Sequence, residues 1–357
     1  MHSIYISTTG DHAGQSLLTW SIGLRLMEKN FRVGFIKPFG TQPFNEHDAW
    51  IDRDASLFKQ VFNLPDPIKS INPYPFSEEA FSSKDHERHD SIIKRIKGLC
   101  EELSAEKDIL LIMGSSHIFY DHSSATLPDI TLIHELEADC ILINRYIKSS
   151  TTIYSILSVS SLLKERLKGI FINRVHPDSY KEVRDKMATD FINRGIPITA
   201  VIREDPFLSY LSIREVTQLL GGELLCGDQQ CLNVPIGGMT VGSSDLTGEL
   251  KIFKRAYNKI LLLDPSSTSM EGEDPDQPRK IAGILLTGGV KPAHQLLSAS
   301  QKEGIPLILI QEDTFKALEV LEKGVSSICP EDDLKVRYFS EMIDKEGAFE
   351  KLLQSFL

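Results

Sequence analysis

Ser3-Ile-Tyr-Ile-Ser7 runs into Thr8-Thr9-Gly10-Asp11-His12-Ala13-Gly14-Gln15-Ser16 and from there, without a break, into a stretch with helical spacing of apolar residues at 17–29. Strand, glycine loop and helix in that order bring successive backbone N–H groups and the positive end of a helix macrodipole to one point, which favours an anion whichever side chains are present. Set against the phosphate-loop pattern G-x-x-x-x-G-K-[ST], Thr9 replaces the first glycine and Gln15 the lysine, leaving Gly14 and Ser16 as matches. The lysine of that pattern neutralises the outer phosphates, and a neutral glutamine cannot stabilise charge on a transferred phosphoryl group. Two readings are open here: a strand-to-helix turn kept for fold geometry, and a non-hydrolytic anion or nucleotide pocket.

Outward from this loop, short apolar runs alternate with amphipathic stretches, the period of strands joined through helices into a parallel sheet. Strands are expected at 3–7, 32–37, 108–113, 140–144, 169–173 and 198–202, with helices at 17–29, 55–62, 91–106, 152–167 and 180–194. Residues 64–89, rich in proline and charge, read as a long surface excursion. The first domain is expected to span 1–207 and to end in the polar loop Arg203-Glu-Asp-Pro-Phe207. A second domain, 208–357, follows: a connecting helix at 208–220 closed by Gly221-Gly222, strands at 223–226, 234–237, 259–263, 281–286 and 306–310, helices at 245–257, 292–303 and 314–322, and a helical tail from 332. The expected fold class is α/β, a P-loop-type parallel-sheet domain followed by a smaller α/β domain.

Composition excludes several classes. The chain has 357 residues, 41% hydrophobic and 25% charged, and its longest apolar run, Ile281-Ala-Gly-Ile-Leu-Leu286, is far short of the roughly 18 residues of a membrane span. With 39 Lys and Arg against 50 Asp and Glu, the net charge of -11 repels nucleic acid and anionic membranes, and no basic patch overrides it. Met1-His-Ser-Ile-Tyr5 opens directly into a strand without the features of a signal peptide, so a cytoplasmic location is expected. The five scattered cysteines then read as core thiols, and Cys226 with Cys231 lacks the second pair that a zinc site needs. His86 with His89, and His117 with His122, read as solvated loop residues ahead of metal ligands.

Further residues carry a family resemblance. Gly34-Phe-Ile-Lys37-Pro38, Asp54-Ala-Ser-Leu57 and Gly169-Ile-Phe-Ile-Asn173-Arg174, with the loop, resemble dethiobiotin synthetase and its relatives over 1–207. The resemblance implies that Lys37 faces substrate and phosphate groups, that Asp54 takes part in magnesium binding and that Asn173 reads adenine. It also implies a metal-holding glutamate where this chain has Met113, before Gly114. A thioether is a soft, uncharged ligand unsuited to magnesium, so Gln15 and Met113 together remove two catalytic positions.

The second half resembles a DRTGG domain. It does so through Leu219-Leu-Gly-Gly-Glu-Leu-Leu-Cys-Gly227, Gly238-Met-Thr-Val-Gly242, Ala282-Gly-Ile-Leu-Leu-Thr287-Gly288-Gly289-Val-Lys-Pro292, Ile305-Pro-Leu-Ile-Leu-Ile310 and Asp313-Thr-Phe315. In long-form phosphate acetyltransferase such a domain follows a dethiobiotin-synthetase-like one, and the pair also occurs without the acetyltransferase domain, the arrangement expected here. Thr287, Gly288 and Gly289 at a strand end are expected to expose backbone amides, with a tight turn as the plainer alternative. Asp264 keeps one position of the family's aspartate-arginine pair, and Pro265 removes the arginine.

The expected anion or nucleotide site is therefore Thr9, Gly14, Gln15, Ser16, Lys37 and Asn173, with Asp54 for a metal, and Asp264, Thr287, Gly288 and Gly289 in the second domain. The expected function is a non-catalytic regulator or sensor for ATP, ADP or another anionic metabolite, with magnesium doubtful. By the resemblance it self-associates and acts on a metabolic enzyme. An ATP-dependent ligase or synthase of the dethiobiotin synthetase type and a ligand-free assembly scaffold are the alternatives.

Overall fold

A computed structural model of the chain describes residues 2–46, 49–75, 89–115, 117–119, 127–227, 231–241, 259–263, 281–292, 294–324 and 326–356. It divides into two units, Met1–Glu204 with Asp333–Leu357, and Asp205–Asp332.

In the first unit the chain forms β1 (His2–Thr8), α1 (Gln15–Glu28), β2 (Val33–Ile36), β3 (Pro43–Glu46), β4 (Ala49–Asp52), α2 (Arg53–Val61), α3 (Ile68–Ile71), α4 (His89–Ser104) and β5 (Ile109–Met113). It continues through α5 (Asp129–Glu135), β6 (Asp139–Arg145), α6 (Ser149–Leu163), β7 (Leu167–Val175), α7 (Pro177–Glu182), α8 (Ala188–Asn193) and β8 (Ile198–Arg203). Six strands pair in the order β2-β5-β1-β6-β7-β8, every neighbour parallel. A parallel sheet is covered on both faces, so its strands must be apolar at every position. Ile-Leu-Leu-Ile-Met in β5 and the centre of β1 meet that demand, and all of these side chains are buried. From β1 the chain crosses to one side, towards β2, and from β6 it runs to the other, so the carboxyl end of β1 lies beside the switch point where ligands of open α/β sheets sit.

The antiparallel hairpin β3–β4 was not expected from the sequence. Its strands have four residues each and the first ends in exposed Asn45 and Glu46, too short and too polar for an alternating pattern to register. It matters because β4 delivers Asp52 as the N-cap of α2.

The second unit contains α9 (Ile213–Leu219), β9 (Glu223–Cys226), β10 (Gly238–Thr240), β11 (Lys259–Leu263), β12 (Ile281–Leu286), α10 (His294–Glu303), β13 (Leu307–Leu309) and α11 (Thr314–Lys323). Its sheet runs β10-β11-β12-β13-β9, with β12 and β13 parallel and the other neighbours antiparallel. Alternation along the strands feeds two cores: Ile260, Leu262, Leu285 and Ile308 face one side, Leu261, Ile284, Leu307 and Leu309 the other. The strand expected at 234–237 is instead an isolated bridge of Pro235 to Ser212, and the pairing segment is β10 just beyond it. The helix expected at 208–220 breaks into a 3-10 turn, Pro206–Ser209, and α9, because Ser212 and Glu215 form a reciprocal capping box that starts a new helix. The helix expected at 245–257 lies outside the described residues.

The tail is helical, as α12 (Asp333–Asp344) and α13 (Ala348–Phe356), but it does not belong with the second domain as expected. α12 packs on α1, and α13 on β7 and β8. Val336, Phe339, Ile343, Phe349 and Leu352 are buried there, Arg25 of α1 pairs with Asp344, and Leu352 fills the space that Gly169 leaves open. Amphipathic spacing marks a helix with an apolar face and carries no information on which sheet that face covers.

Both tryptophans, Trp20 and Trp50, lie in the first unit, so their fluorescence reports that unit alone. Phe339→Ala is predicted to destabilise the tryptophan-monitored denaturant transition by about 3–5 kcal/mol. An unchanged transition would place the tail elsewhere.

Candidate functional site

The loop after β1 is held by side chains from the ends of β6 and β7. Arg145 Nη1 donates to the Asp11 carbonyl at 2.9 Å, Arg174 Nη1 to that of His12 at 3.1 Å, and Asn173 Nδ2 to that of Ala13 at 2.7 Å. Three successive carbonyls are thereby turned to one side. The amides of Asp11 to Ser16 have no acceptor among the described residues. Gly14 takes φ 95°, and a Cβ there would stand 2.6 Å from Asn173 Nδ2, so conformation and space both require glycine. Asn144 Nδ2 donates to Thr9 Oγ1 at 2.7 Å, while its own Oδ1 is buried without a partner.

The expected ligand groups are mostly engaged with one another. Gln15 Nε2 turns back into the sheet, donating to the carbonyls of Ile6 at 2.8 Å and Gly114 at 3.2 Å, so it bridges β1 and the end of β5. Lys37, which the resemblance turns towards substrate and phosphate groups, is instead 1% exposed. Its Nζ lies 2.9 Å from Asp52 Oδ1 and 2.6 Å from Asp54 Oδ2, with Thr41 Oγ1 at 3.2 Å. Burial alone would push the ammonium pKa down; the adjoining charges of Asp52 and Asp54 outweigh it and hold the pKa above the ordinary lysine value, so Lys37 is charged at neutral pH. Asp52 accepts in addition from the amides of Thr41, Gln42, Asp54 and Ala55. Asp54 Oδ1 accepts from Ser16 Oγ at 2.7 Å, joining the cluster to the loop.

Ser16 and Asp54 would be the residues to hold magnesium. Ser16 already donates to one Asp54 oxygen, the Lys37 ammonium occupies the other, and buried Met113 supplies no oxygen. As arranged, this donor set does not fit the ion.

Asp129 was missed by the sequence reading. Pro128 and the first turn of α5 place its fully buried carboxyl beneath Gly114, where it accepts from Tyr5 Oη (3.0 Å), Ser7 Oγ (2.5 Å), the Ser115 amide (3.0 Å) and Ser115 Oγ (3.1 Å). Burial raises its pKa to about 6 against the lowering effect of these donors. The signal was the Pro-Asp pair opening a helix, which alone does not distinguish a buried anchor from an ordinary first-turn carboxylate.

Beside the loop, at the carboxyl ends of β6, β7 and β8, a cleft of about 570 Å³ is lined by Arg145, Tyr146, Lys148, Arg174, His176 and Glu204, among others. Arg174 Nε is 3.4 Å from Glu204 Oε1; Lys148 forms no ion pair among the described residues. The sequence reading assigned a role to Asn173 of the Asn173-Arg174 pair and none to Arg145, Lys148 or Arg174.

In the second unit Gly288 and Gly289 both have positive φ, but their amides are not exposed as expected: they donate to the carbonyls of Glu312 (2.8 Å) and Ile310 (2.9 Å). Thr287 Oγ1 meets Thr314 Oγ1 at 2.7 Å. Asp264, His86 and His122 lie outside the described residues, as does the side chain of His89. Among the described residues no three His, Cys, Asp or Glu side chains gather as for a metal, and no helix is long and apolar enough to cross a membrane.

Lys37→Ala leaves two buried carboxylates without their counter-charge and is predicted to cost about 3–5 kcal/mol in the tryptophan-monitored transition, part of it recovered in Lys37→Ala/Asp54→Asn. Loss of less than about 1 kcal/mol would contradict the buried cluster. For Asp129, a folded pKa above the unfolded carboxyl value near 4 means stability is greatest below pH 4 and falls as pH rises to about 6. The stability of wild type relative to Asp129→Asn should accordingly drop by on the order of 2 kcal/mol between pH 4 and 7; a flat or rising difference would refute the assignment.

Residues 2–212 match the AAA domain family, and residues 215–323 the DRTGG domain. A phosphate acetyltransferase of Synechocystis sp. is 23% identical over 98% of this chain and 51% of its own length, and that of Nitratidesulfovibrio vulgaris 21% identical over 94% and 49%. The chain thus spans about half the length of these relatives. The ATP-dependent dethiobiotin synthetase of Nitrosopumilus maritimus is 23% identical over 50% of this chain and 79% of its own. Among solved structures, the MinC:MinD cell division complex of Aquifex aeolicus matches 58% of this chain and 84% of the other at 14% identity and a TM-score of 0.36. A P-loop-type sheet domain built on β1 and its loop, followed by a smaller α/β domain, is what both matched families together describe, and the chain belongs to the AAA domain family with a DRTGG domain after it.

Proposed function

We propose that the first unit binds a small anionic metabolite or nucleotide without turning it over, and that the chain acts as a cytoplasmic regulator or sensor that self-associates and addresses a metabolic enzyme. The carrying observation is the run of unclaimed amides from Asp11 to Ser16 at the start of α1, with their carbonyls drawn away by Arg145, Arg174 and Asn173. Such a concavity, at the positive end of a helix, favours negative charge. The basic cleft continues from it and offers Lys148 to a second charged group. Thr9, Gly14, Ser16 and Asn173 shape this loop. Gln15 and Lys37 support it from behind, Lys37 through Asp54 and Ser16.

Against the ligase alternative stand the inward-turned Gln15, the buried Met113 and the Lys37 ammonium on Asp54, which together leave developing charge and a metal unserved. For the second unit the scaffold reading is favoured, because the Gly288 and Gly289 amides are consumed by the turn. The relationship to phosphate acetyltransferase supports a regulatory role by similarity.

The test is a thermal-shift panel of ATP, ADP, NADH, acetyl phosphate, acetyl-CoA and pyruvate. A ligand at a hundred times its Kd adds about 2.7 kcal/mol, which should raise the tryptophan-monitored Tm by roughly 5–10 °C, with a smaller rise in Lys148→Ala at the same concentration. ATP hydrolysis should stay at background in wild type and in Gln15→Lys. No shift with any compound would return the first unit to a scaffold role; magnesium-dependent phosphate release lost in Asp54→Ala would establish the enzyme instead.

A further inference from the structure

Arg145 and Arg174 line the cleft at the carboxyl ends of β6, β7 and β8, and both reach the loop, where they donate to the carbonyls of Asp11 and His12. In a trans peptide the N–H points away from the C=O, and no peptide bond among the described residues is cis. The amides of His12 and Ala13 therefore face away from these arginines, and the backbone of the loop stands between the amide side and the cleft. The cleft also holds charge that the fold leaves unpaired. Arg174 meets Glu204, and His176 Nδ1 lies 3.3 Å from Asp178 Oδ2, whereas Arg145 and Lys148 form no ion pair among the described residues. Asn173, which the resemblance gives to adenine, does not line the cleft: it is 5% exposed and its Nδ2 donates to the Ala13 carbonyl.

These features select a ligand class. Two unpaired cations suit a phosphate, which accepts from a guanidinium fork and an ammonium at once, better than they suit a neutral base. That phosphate cannot be the immediate neighbour of one held on the loop amides. Adjacent phosphates share a single bridging oxygen, too short a link to pass from one side of a backbone to the other, so a spacer has to separate them. Asn144, beside the start of the loop, indicates its chemistry. The residue is 1% exposed, its Nδ2 donates to Thr9 Oγ1, and its Oδ1 has no donor. A buried acceptor of that kind calls for a hydroxyl. At Gly10, next to Thr9, a Cβ would meet nothing within 4 Å, which leaves room for a ring there. We infer that the first unit takes a sugar, free or within a nucleotide, that carries two separate phosphates, one on the loop amides and the other on Arg145 and Lys148 in the cleft. The inference rests on the anion reading of the loop proposed above and names the ligand class.

Calorimetric titration with ADP and with adenosine 3′,5′-bisphosphate tests it. The two are isomers with the same base and the same number of phosphates, joined in one and separate in the other. The 3′,5′ isomer should bind about tenfold more tightly than ADP, the effect of one added charge-assisted contact. Lys148→Ala should close that gap and Lys148→Arg should keep it. Lys148 is exposed, so the tryptophan-monitored melt of either variant without ligand should match wild type, which separates loss of contact from loss of fold. Coenzyme A and dephospho-coenzyme A, which differ only in the 3′-phosphate, identify the source. A preference for coenzyme A that Lys148→Ala removes supports the inference and assigns a coenzyme; binding of the free bisphosphate alone supports it and assigns a small sugar phosphate. Binding of the 3′,5′ isomer no tighter than that of ADP, or a preference that survives Lys148→Ala, overturns the inference, and ADP binding in that case leaves the anion reading of the loop in place. If no phosphate compound binds, both fail.

Discussion

A single buried ammonium organises the edge of the first sheet. Lys37 stands just past the end of β2, and the carboxylates that neutralise it come from the end of β4 and the first turn of α2. Neither partner could be buried alone, since an isolated charge in a medium of low dielectric is far more costly than a paired one. The pairing therefore fixes three segments at once. Asp52 extends it to the backbone of residues 41 and 42, and Asp54 extends it through Ser16 to the phosphate-type loop. The loop's shape thus depends on a charge cluster that is almost withdrawn from solvent, and the Lys37 ammonium within it is already neutralised by its two carboxylates.

This arrangement bears on the relation between the chain and its relatives. A lysine, an aspartate and a hydroxyl at these positions imply a phosphate and metal site by resemblance. Here the same residues satisfy one another. Gln15 completes the change: where a lysine would reach across the loop, the amide spans two backbone carbonyls and ties β1 to β5. What remains open to an anion is the part of the site that side chains never supplied, namely the backbone amides and the helix end.

The strands and helices of the first unit could be read from the sequence because a doubly covered parallel sheet writes itself as continuous apolar runs, as in Ile109–Met113. The loop and its Gly14 were legible for the same kind of reason, a local conformation that only certain residues adopt. The β3–β4 hairpin, the partner of the tail and the burial of Lys37 were not legible, because each depends on what lies opposite in space. A lysine before a proline looks alike whether two carboxylates or water receive it. The carbonyls drawn aside by Arg145 and Arg174 belong to the same class.

The tail's return to the first unit also sets an order of events during synthesis. β8 ends at Arg203, yet α12 and α13, which cover α1, β7 and β8, emerge only after the whole second unit has been made. At roughly 5–20 residues per second, the chain beyond residue 204 takes on the order of 10–30 s to appear. Until α12 and α13 are made, the apolar faces awaiting Phe339, Phe349 and Leu352 stand uncovered, whereas the second unit is contiguous in sequence and is made in full before them. The second unit is thereby complete in sequence before the first, the reverse of the usual amino-to-carboxyl order.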